Sequence, residues 1–226
     1  MALISLRGIT KTHLLGEIEV KALGGVDLDI DSGEFTLLMG PSGSGKSTLL
    51  SILGCLDSAS SGTYEFENKR VGMGDHNRWA SLRSGELGFV FQSFNLVPVL
   101  TAKENVELPM LWRSKRLSSR ASDERARALL ELVGIGQLAD RRPTQLSGGQ
   151  QQRVAIARSL ANEPKVLLAD EPTANLDSES ADLILKLLSK LNKDKGVSLI
   201  IATHDPKLLQ YGKRVVRLHD GMIEPG

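Results

Sequence analysis

The chain has 226 residues, of which 41% are hydrophobic and 24% charged, as in an ordinary globular protein of one domain. Its formal net charge of +1 gives no basic face for a nucleic-acid partner, and the lone Cys55 excludes an intramolecular disulfide and a cysteine-built zinc site. No apolar run approaches the roughly 18 residues of a membrane span, and the N-terminus lacks a signal peptide's apolar region, so we expect a cytoplasmic chain.

Apolar and alternating runs predict strands in the first ninety residues, and helical periods take over afterwards. The predicted strands of this part span 3–7, 26–30, 35–39, 62–66 and 87–91. Predicted helices follow at 101–112, at 119–133 and from Ser147 onwards. Strands at 165–169, 197–202, 214–218 and 222–224 then alternate with helices at 178–192 and 206–210. This order predicts an α/β domain over 1–226, whose parallel sheet is interrupted by a helical insertion at about 95–160.

A glycine-rich loop carries the strongest chemical signal. Residues 40–48, GPSGSGKST, match G-x-x-x-x-G-K-[ST] between a predicted strand and a predicted helix, as this phosphate-binding loop (P-loop) requires. We expect Lys46 to neutralise the β- and γ-phosphates of ATP, the Ser47 hydroxyl to bind Mg²⁺ and the Thr48 hydroxyl to reach the α-phosphate. The predicted nucleotide-binding residues of the loop are Gly40, Pro41, Ser42, Gly43, Ser44, Gly45, Lys46, Ser47 and Thr48.

Polar residues end three other predicted strands. Asp170 ends the apolar run VLLAD, where it can hold Mg²⁺ together with Ser47, and Glu171 follows in a position to polarise a water molecule. Gln92 and His204 end two further strands, where they can sense the γ-phosphate, and Gln92 can also face the metal. Each of these two could equally be an ordinary polar residue at a loop start. The carboxylate pair favours hydrolysis over transfer to a second substrate.

A second anion site is predicted at LSGGQ, residues 146–150, where a helix opens on two glycines. We expect Ser147, Gly148, Gly149 and Gln150 to bind a phosphate there. The buried side of this helix is expected to consist of Leu146, Val154, Ile156, Ala157 and Leu160. Because the P-loop already surrounds its own nucleotide, LSGGQ is expected to serve the nucleotide of a second copy. A head-to-tail homodimer would then contain two equivalent sites.

Along the chain the motifs follow one another in the order GPSGSGKST, Gln92, LSGGQ, VLLADE, ANLD at 174–177 and His204. This set of motifs, in this order, resembles the nucleotide-binding subunit of ABC transporters. The segments at 52–64, 89–96 and 146–154 are most similar to the MacB/LolD/FtsE branch. The resemblance implies a P-loop NTPase fold, with a RecA-like parallel core, an N-terminal antiparallel β subdomain and an inserted α-helical subdomain. It also implies ATP and Mg²⁺ as cofactors, Asp177 at the dimer interface, and a location on the inner face of the cytoplasmic membrane.

The partner implied by the resemblance is a membrane permease of the MacB, LolC, LolE or FtsX type, docked on residues just after Gln92. The apolar residues Phe94, Leu96, Val97, Val99 and Leu100 fit such a surface, although burial within the helical insertion would also explain them. The sequence departs from the family at the adenine. His13 stands where an aromatic residue usually stacks, and Val20 is an alternative apolar contact. A solvated histidine in a turn is equally compatible with the sequence.

Three roles compete for such a subunit. The leading one is the ATPase of a MacB/LolD-type complex that drives export, lipoprotein extraction or another force-transmitting task. The alternatives are an FtsE-like regulatory transmitter that transports nothing and an ATPase of an ABC importer. DNA-repair and translation members of the family carry coiled coils, zinc modules or tandem cassettes, so we do not expect this chain of 226 residues to be one of them.

Overall fold

The fold is described by a computed structural model for residues 2–16, 18–72, 74–112 and 117–224. Its strands are β1 Ala2–Leu15, β2 Ile18–Asp31, β3 Phe35–Met39, β4 Ser61–Phe66, β5 Lys69–Arg70, β6 Leu87–Val90, β7 Val166–Asp170, β8 Ser198–Thr203, β9 Arg214–His219 and β10 Met222–Ile223. Its α-helices are α1 Lys46–Leu53, α2 His76–Gly85, α3 Ala102–Glu107, α4 Ser119–Leu132, α5 Gly148–Ser159 and α6 Ser178–Lys195. Short 3-10 helices span Leu108–Trp112, Gly136–Leu138, Pro143–Gln145 and Pro206–Gln210.

Within these ranges the strands form two sheets. The smaller is antiparallel, in the order β2-β1-β4-β5, and the larger has the order β10-β9-β3-β8-β7-β6. In the larger sheet β9, β3, β8, β7 and β6 are parallel, and β10 is antiparallel to β9. Helices α3, α4 and α5 lie between β6 and β7 along the chain. The α/β fold with a parallel core and an N-terminal antiparallel sheet is therefore confirmed.

The parallel sheet is buried on both faces. Leu199 and Ile201 of β8 belong to the apolar cluster formed with α3 to α6, whereas Ile200 and Ala202 belong to the cluster formed with α1 and the antiparallel sheet. Alternate residues of a pleated strand point to opposite faces, so a strand covered on both faces is apolar throughout. The register of β3, β8 and β7 places their carboxyl ends side by side.

The structure corrects several predicted boundaries. β1 and β2 extend well beyond 3–7 and 26–30, and they pair as far as Leu15 and Ile18. The helix predicted at 101–112 is α-helical only to Glu107, because Pro109 has no N–H to continue the ladder. The last helix runs past 192 to Lys195, where Gly196 ends it with a φ of +66°.

The sequence predicts neither α2 nor β5. The buried side chains of α2 are Trp79 and Leu82, too few to produce an apolar stripe along the helix. β5 has two residues, which is below the length at which alternation can be recognised. Among the described helices, none combines the length and the apolar character that a membrane crossing would need.

Candidate functional site

A cleft of about 650 Å³ lies at the carboxyl ends of the parallel strands, where open α/β sheets commonly bind their ligands. Its lining joins the P-loop to the polar residues that follow other strands. It consists of Ala22, Pro41, Ser42, Gly43, Gly45, Lys46, Ser47, Thr48, Gln92, Asp170, Glu171, Ala174 and His204. The structure thus brings most of the P-loop together with the residues predicted for metal binding and hydrolysis. Gly40 and Ser44 belong to the same loop but not to this lining.

The P-loop is held tightly and leaves backbone donors free. A Cβ at Gly40 would lie 2.1 Å from the carbonyl oxygen of Leu218, so no larger residue fits there. Helix α1 begins after Gly45, and no side chain among the described residues caps it. The N–H groups of its first turn are therefore available to an anion. Oγ of the buried Ser44 also lacks a hydrogen-bond partner within the described part of the chain.

Lys46 and Ser47 line the cleft together with Asp170. The Lys46 side chain is nearly buried, and its Nζ donates to the carbonyl oxygens of Gly40 and Pro41 at 2.8 Å each. Ser47 Oγ donates to Asp170 Oδ1 at 3.2 Å. Burial raises the pKa of Asp170, and the hydrogen bond from Ser47 lowers it in part. A bound cation would favour the ionised form of such a carboxylate.

Glu171 is held by the end of the neighbouring strand. Its Oε1 lies 2.6 Å from His204 Nδ1 and accepts the His204 backbone N–H at 3.1 Å, and its Oε2 accepts the Thr203 hydroxyl at 3.1 Å. The backbone φ of Glu171 is +45°, a left-handed conformation that costs a non-glycine residue about 1–3 kcal/mol. The Glu171 side chain is 15% exposed and that of His204 is 70% exposed. The carboxylate is therefore fixed, whereas the imidazole edge remains open to the cleft.

Two contacts at the site were not predicted from the sequence. Thr203, the last residue of β8, is fully buried and donates to Glu171. Asn175 Nδ2 donates to the carbonyl oxygen of Gln92 at 3.0 Å, which joins two of the loops around the cleft. Thr203 directly precedes His204 and Asn175 lies within the ANLD segment, but neither position by itself indicates the contact that its side chain makes.

The LSGGQ segment lies outside this cleft, since none of the described residues that line it belongs to 147–150. Ser147 caps α5 by accepting the Gln150 N–H at 3.3 Å, and Gln150 Oε1 accepts the Ser147 N–H at 2.9 Å. A Cβ at Gly149 would lie 2.8 Å from Ser180 Oγ, so this glycine has a packing reason within the chain. A Cβ at Gly148 would meet no atom closer than 3.5 Å. The residues expected on the buried side of α5 are all buried.

Farther along α5, one buried and one partly buried side chain tie the helix to loops around the cleft. Gln152 is fully buried, and its Nε2 donates to the carbonyl oxygen of Pro172 at 2.7 Å. The guanidinium of Arg158 donates to the carbonyl oxygens of Phe94 and Asn95, and burial lowers its pKa. The same helix that opens at LSGGQ therefore contacts the loop after Glu171 and the loop after Gln92.

His13 and Val20 pair directly across β1 and β2. His13 therefore lies in a strand and not in a turn. Val20 is exposed, and neither residue is among those that line the cleft. An adenine contact by His13 or Val20 stays a prediction.

The segment after Gln92 is neither fully exposed nor fully buried. Leu96 packs against the core, whereas Val99 is exposed. Asn105 is fully buried and holds the segment: its Oδ1 accepts the Val97 N–H at 2.8 Å, and its Nδ2 lies 2.9–3.2 Å from the carbonyl oxygens of Val97, Leu100 and Thr101. Beside it, a groove of about 240 Å³ is lined by Phe89, Phe91, Asn95, Pro109 and other residues.

The sequence profile described as "ABC transporter" matches residues 23–174. A macrolide export ATP-binding/permease protein, MacB, of Syntrophobacter fumaroxidans is 50% identical over 225 residues, which cover 100% of this chain and 32% of that protein. The chain thus spans about a third of the length of that relative. An uncharacterized ABC transporter ATP-binding protein of Methanocaldococcus jannaschii, MJ0796, is 46% identical, with 98% of this chain and 95% of that protein covered.

Solved structures agree with these sequence relatives. A dimeric post-hydrolysis state of the ATP-binding cassette MJ0796 bound to ADP and Pi matches with a TM-score of 0.91 at 45% identity, over 98% of this chain and 97% of that one. CbiO1 of Clostridium perfringens, part of the ABC transporter complex cbiONQ, matches with a TM-score of 0.86 at 32% identity, over 99% of this chain and 87% of that one. By sequence profile, relatives and fold, this chain belongs to the ABC transporter family as one of its ATP-binding, ATP-hydrolysing cassettes.

Proposed function

We propose that the chain is the ATPase subunit of a membrane complex of the MacB/LolD type, in which a dimer of cassettes drives export, lipoprotein extraction or another force-transmitting task through a permease. The position of Glu171 is the observation that best supports ATP hydrolysis. Its carboxylate lines the same cleft as the P-loop and is fixed there by hydrogen bonds to both oxygens.

In the proposed reaction ATP is the substrate. The free N–H groups at the start of α1 hold the β-phosphate, and Lys46, already inside the loop, places its ammonium against the β- and γ-phosphates. Glu171 accepts a proton from a water molecule as the water oxygen bonds to the γ-phosphorus. The bond from that phosphorus to the β–γ bridging oxygen breaks, and ADP and inorganic phosphate leave. His204, bonded to Glu171 through Nδ1, presents the rest of its ring to the γ-phosphate.

The residues present fit Mg²⁺. Ser47 and Asp170 supply a hydroxyl and a carboxylate 3.2 Å apart, and the Gln92 amide lines the same cleft. Within the described residues no group of three His, Cys, Asp or Glu side chains forms a metal cage. Mg²⁺ does not need such a cage, because it is usually held by one or two carboxylates together with substrate phosphates. When bound, Mg²⁺ would neutralise charge on the phosphate oxygens.

The groove beside Asn95 supports a permease partner. Phe89, Phe91 and Pro109 give it apolar walls, and Arg158 holds the Asn95 carbonyl at its edge. On the same side Trp112 is 64% exposed. Exposed apolar side chains next to a groove are typical of a protein interface. A location on the inner face of the cytoplasmic membrane follows from such a partner.

The Glu171→Gln variant tests the proposal. The amide keeps the size of the side chain but cannot accept the proton, so ATP should still bind while turnover falls by about a hundredfold or more. Size-exclusion chromatography with ATP and Mg²⁺ should then show an accumulated dimer. Hydrolysis near the wild-type rate in this variant would remove Glu171 as the base.

A further inference from the structure

The hydroxyl of Thr203 donates a hydrogen bond to the carboxylate of Glu171. The Thr203 side chain is fully buried at the end of β8, and Oγ1 accepts the backbone N–H of Asp205 at 3.0 Å. Since Asp205 supplies a donor, the hydroxyl proton is free to point to Glu171 Oε2, 3.1 Å away. An ionised carboxylate can only accept, so this direction of the hydrogen bond is determined by chemistry.

The two oxygens of Glu171 are held by consecutive residues in different ways. His204 contacts Oε1 from a side chain that is mostly exposed and lines the cleft. Thr203 contacts Oε2 from inside the protein and is not among the residues that line the cleft. A nucleotide in the cleft can therefore displace or reorient the His204 ring, whereas the Thr203 contact is shielded from it.

The backbone of Glu171 is also held by β8. With a left-handed φ of +45°, Glu171 departs from the extended backbone of β7. Its N–H donates to the carbonyl oxygen of Ala202 at 2.9 Å. This bond ties the end of β7 to β8 next to Thr203. Backbone and side chain of Glu171 are thus both anchored on β8, so the orientation of the carboxylate depends on that strand.

We propose that Thr203 is a positioning residue for hydrolysis: its hydroxyl fixes Oε2 so that Oε1 faces the attacking water. This rests on the proposed function, in which Glu171 is the base. Thr203 does not line the cleft and acts through Glu171. Misplacing a reacting group by about 1 Å can lower the rate by about a hundredfold.

The Thr203→Val and Thr203→Ser variants separate the hydroxyl from the packing. Valine keeps the volume and removes the hydroxyl, so kcat should fall about tenfold or more, while KM and the affinity for ATP stay within about twofold. Serine keeps the hydroxyl and loses a methyl group, so kcat should stay within about twofold even if the thermal midpoint drops. If the valine variant does not fold, comparing the kcat of Thr203→Ala with that of Thr203→Ser tests the hydroxyl in the same way.

A cycle with Glu171→Gln shows whether Thr203 acts through Glu171. In the Glu171→Gln background, Thr203→Val should change the residual rate by less than about twofold, because the base is already gone. A full tenfold loss in that background would overturn the inference, as would wild-type kcat in Thr203→Val or an equal loss in Thr203→Ser. If Glu171→Gln itself hydrolyses ATP normally, the proposed function fails and not merely the role of Thr203.

Discussion

Two inactive variants should restore activity to each other if LSGGQ serves the nucleotide of a second copy. Lys46→Ala removes the ammonium from the P-loop and should abolish ATP binding in its own cleft. Ser147→Arg places a large cation at the start of α5, where Ser147 is exposed and outside the cleft of its own chain. Each variant alone should be inactive, because each homodimer repeats its defect in both sites.

The expected recovery can be estimated from the pairing. In an equimolar mixture, random association makes about half of the dimers mixed, and each mixed dimer has one site with both Lys46 and Ser147 intact. If the two sites turn over independently, activity returns to about a quarter of the wild-type rate. Action of LSGGQ on its own chain's nucleotide predicts no recovery, because every site then contains one defective motif.

The control concerns the helix cap. Ser147→Arg also removes the hydrogen bond from Gln150 N–H, which costs about 1 kcal/mol of stability. Ser147→Ala removes the same bond without adding bulk, so it should lose stability equally and retain more activity. A steady-state phosphate-release assay measures the rates, and native mass spectrometry shows which dimers form. Mixed dimers without activity would refute the trans arrangement with independent sites.

Two further predictions concern the packing around the site. Asn105→Ala should lower the free energy of unfolding by about 3 kcal/mol, because roughly three hydrogen bonds to the 97–101 backbone are lost. Urea denaturation measures this, and a loss below about 0.5 kcal/mol would contradict it. Burial raises the pKa of the Cys55 thiol to about 11, so it stays protonated at pH 8. Thiol labelling of the folded protein should be negligible there and accelerate as the pH approaches that pKa; fast labelling at pH 8 would show that Cys55 is accessible.

The parallel core and the cleft could be predicted because each has a local sequence signal. The runs before Gly40 and Asp170 are apolar except for Thr36, which is how a strand buried on both faces looks in sequence. The P-loop carries its chemistry in nine consecutive residues. The carboxyl ends of parallel strands then place Asp170 and His204 at the same edge without any further information.

What could not be predicted depends on contacts between distant residues. Nothing in the sequence around Thr203 says that its hydroxyl faces Glu171, because that contact is created by the pairing of β7 with β8. The length of β1 and β2 was missed for a related reason. Their outer parts are stabilised by pairing with each other and expose residues such as Leu14 and Ile18, so no continuous buried face marks them. Helix α2 likewise has too small a buried face to stand out.

Helix α5 has a mechanical consequence that follows from its three attachments. With twelve residues it is a stiff rod about 18 Å long. Ser147 lies at one end of the helix. Midway along it, Gln152 is hydrogen-bonded to the loop after Glu171, and near the other end Arg158 is hydrogen-bonded to the Phe94–Asn95 turn. A tilt of about ten degrees about the first end would displace the far end by about 3 Å, which is enough to break a hydrogen bond at that end. If α5 tilts in this way, the turn beside the groove must move with it or lose its hydrogen bonds to Arg158.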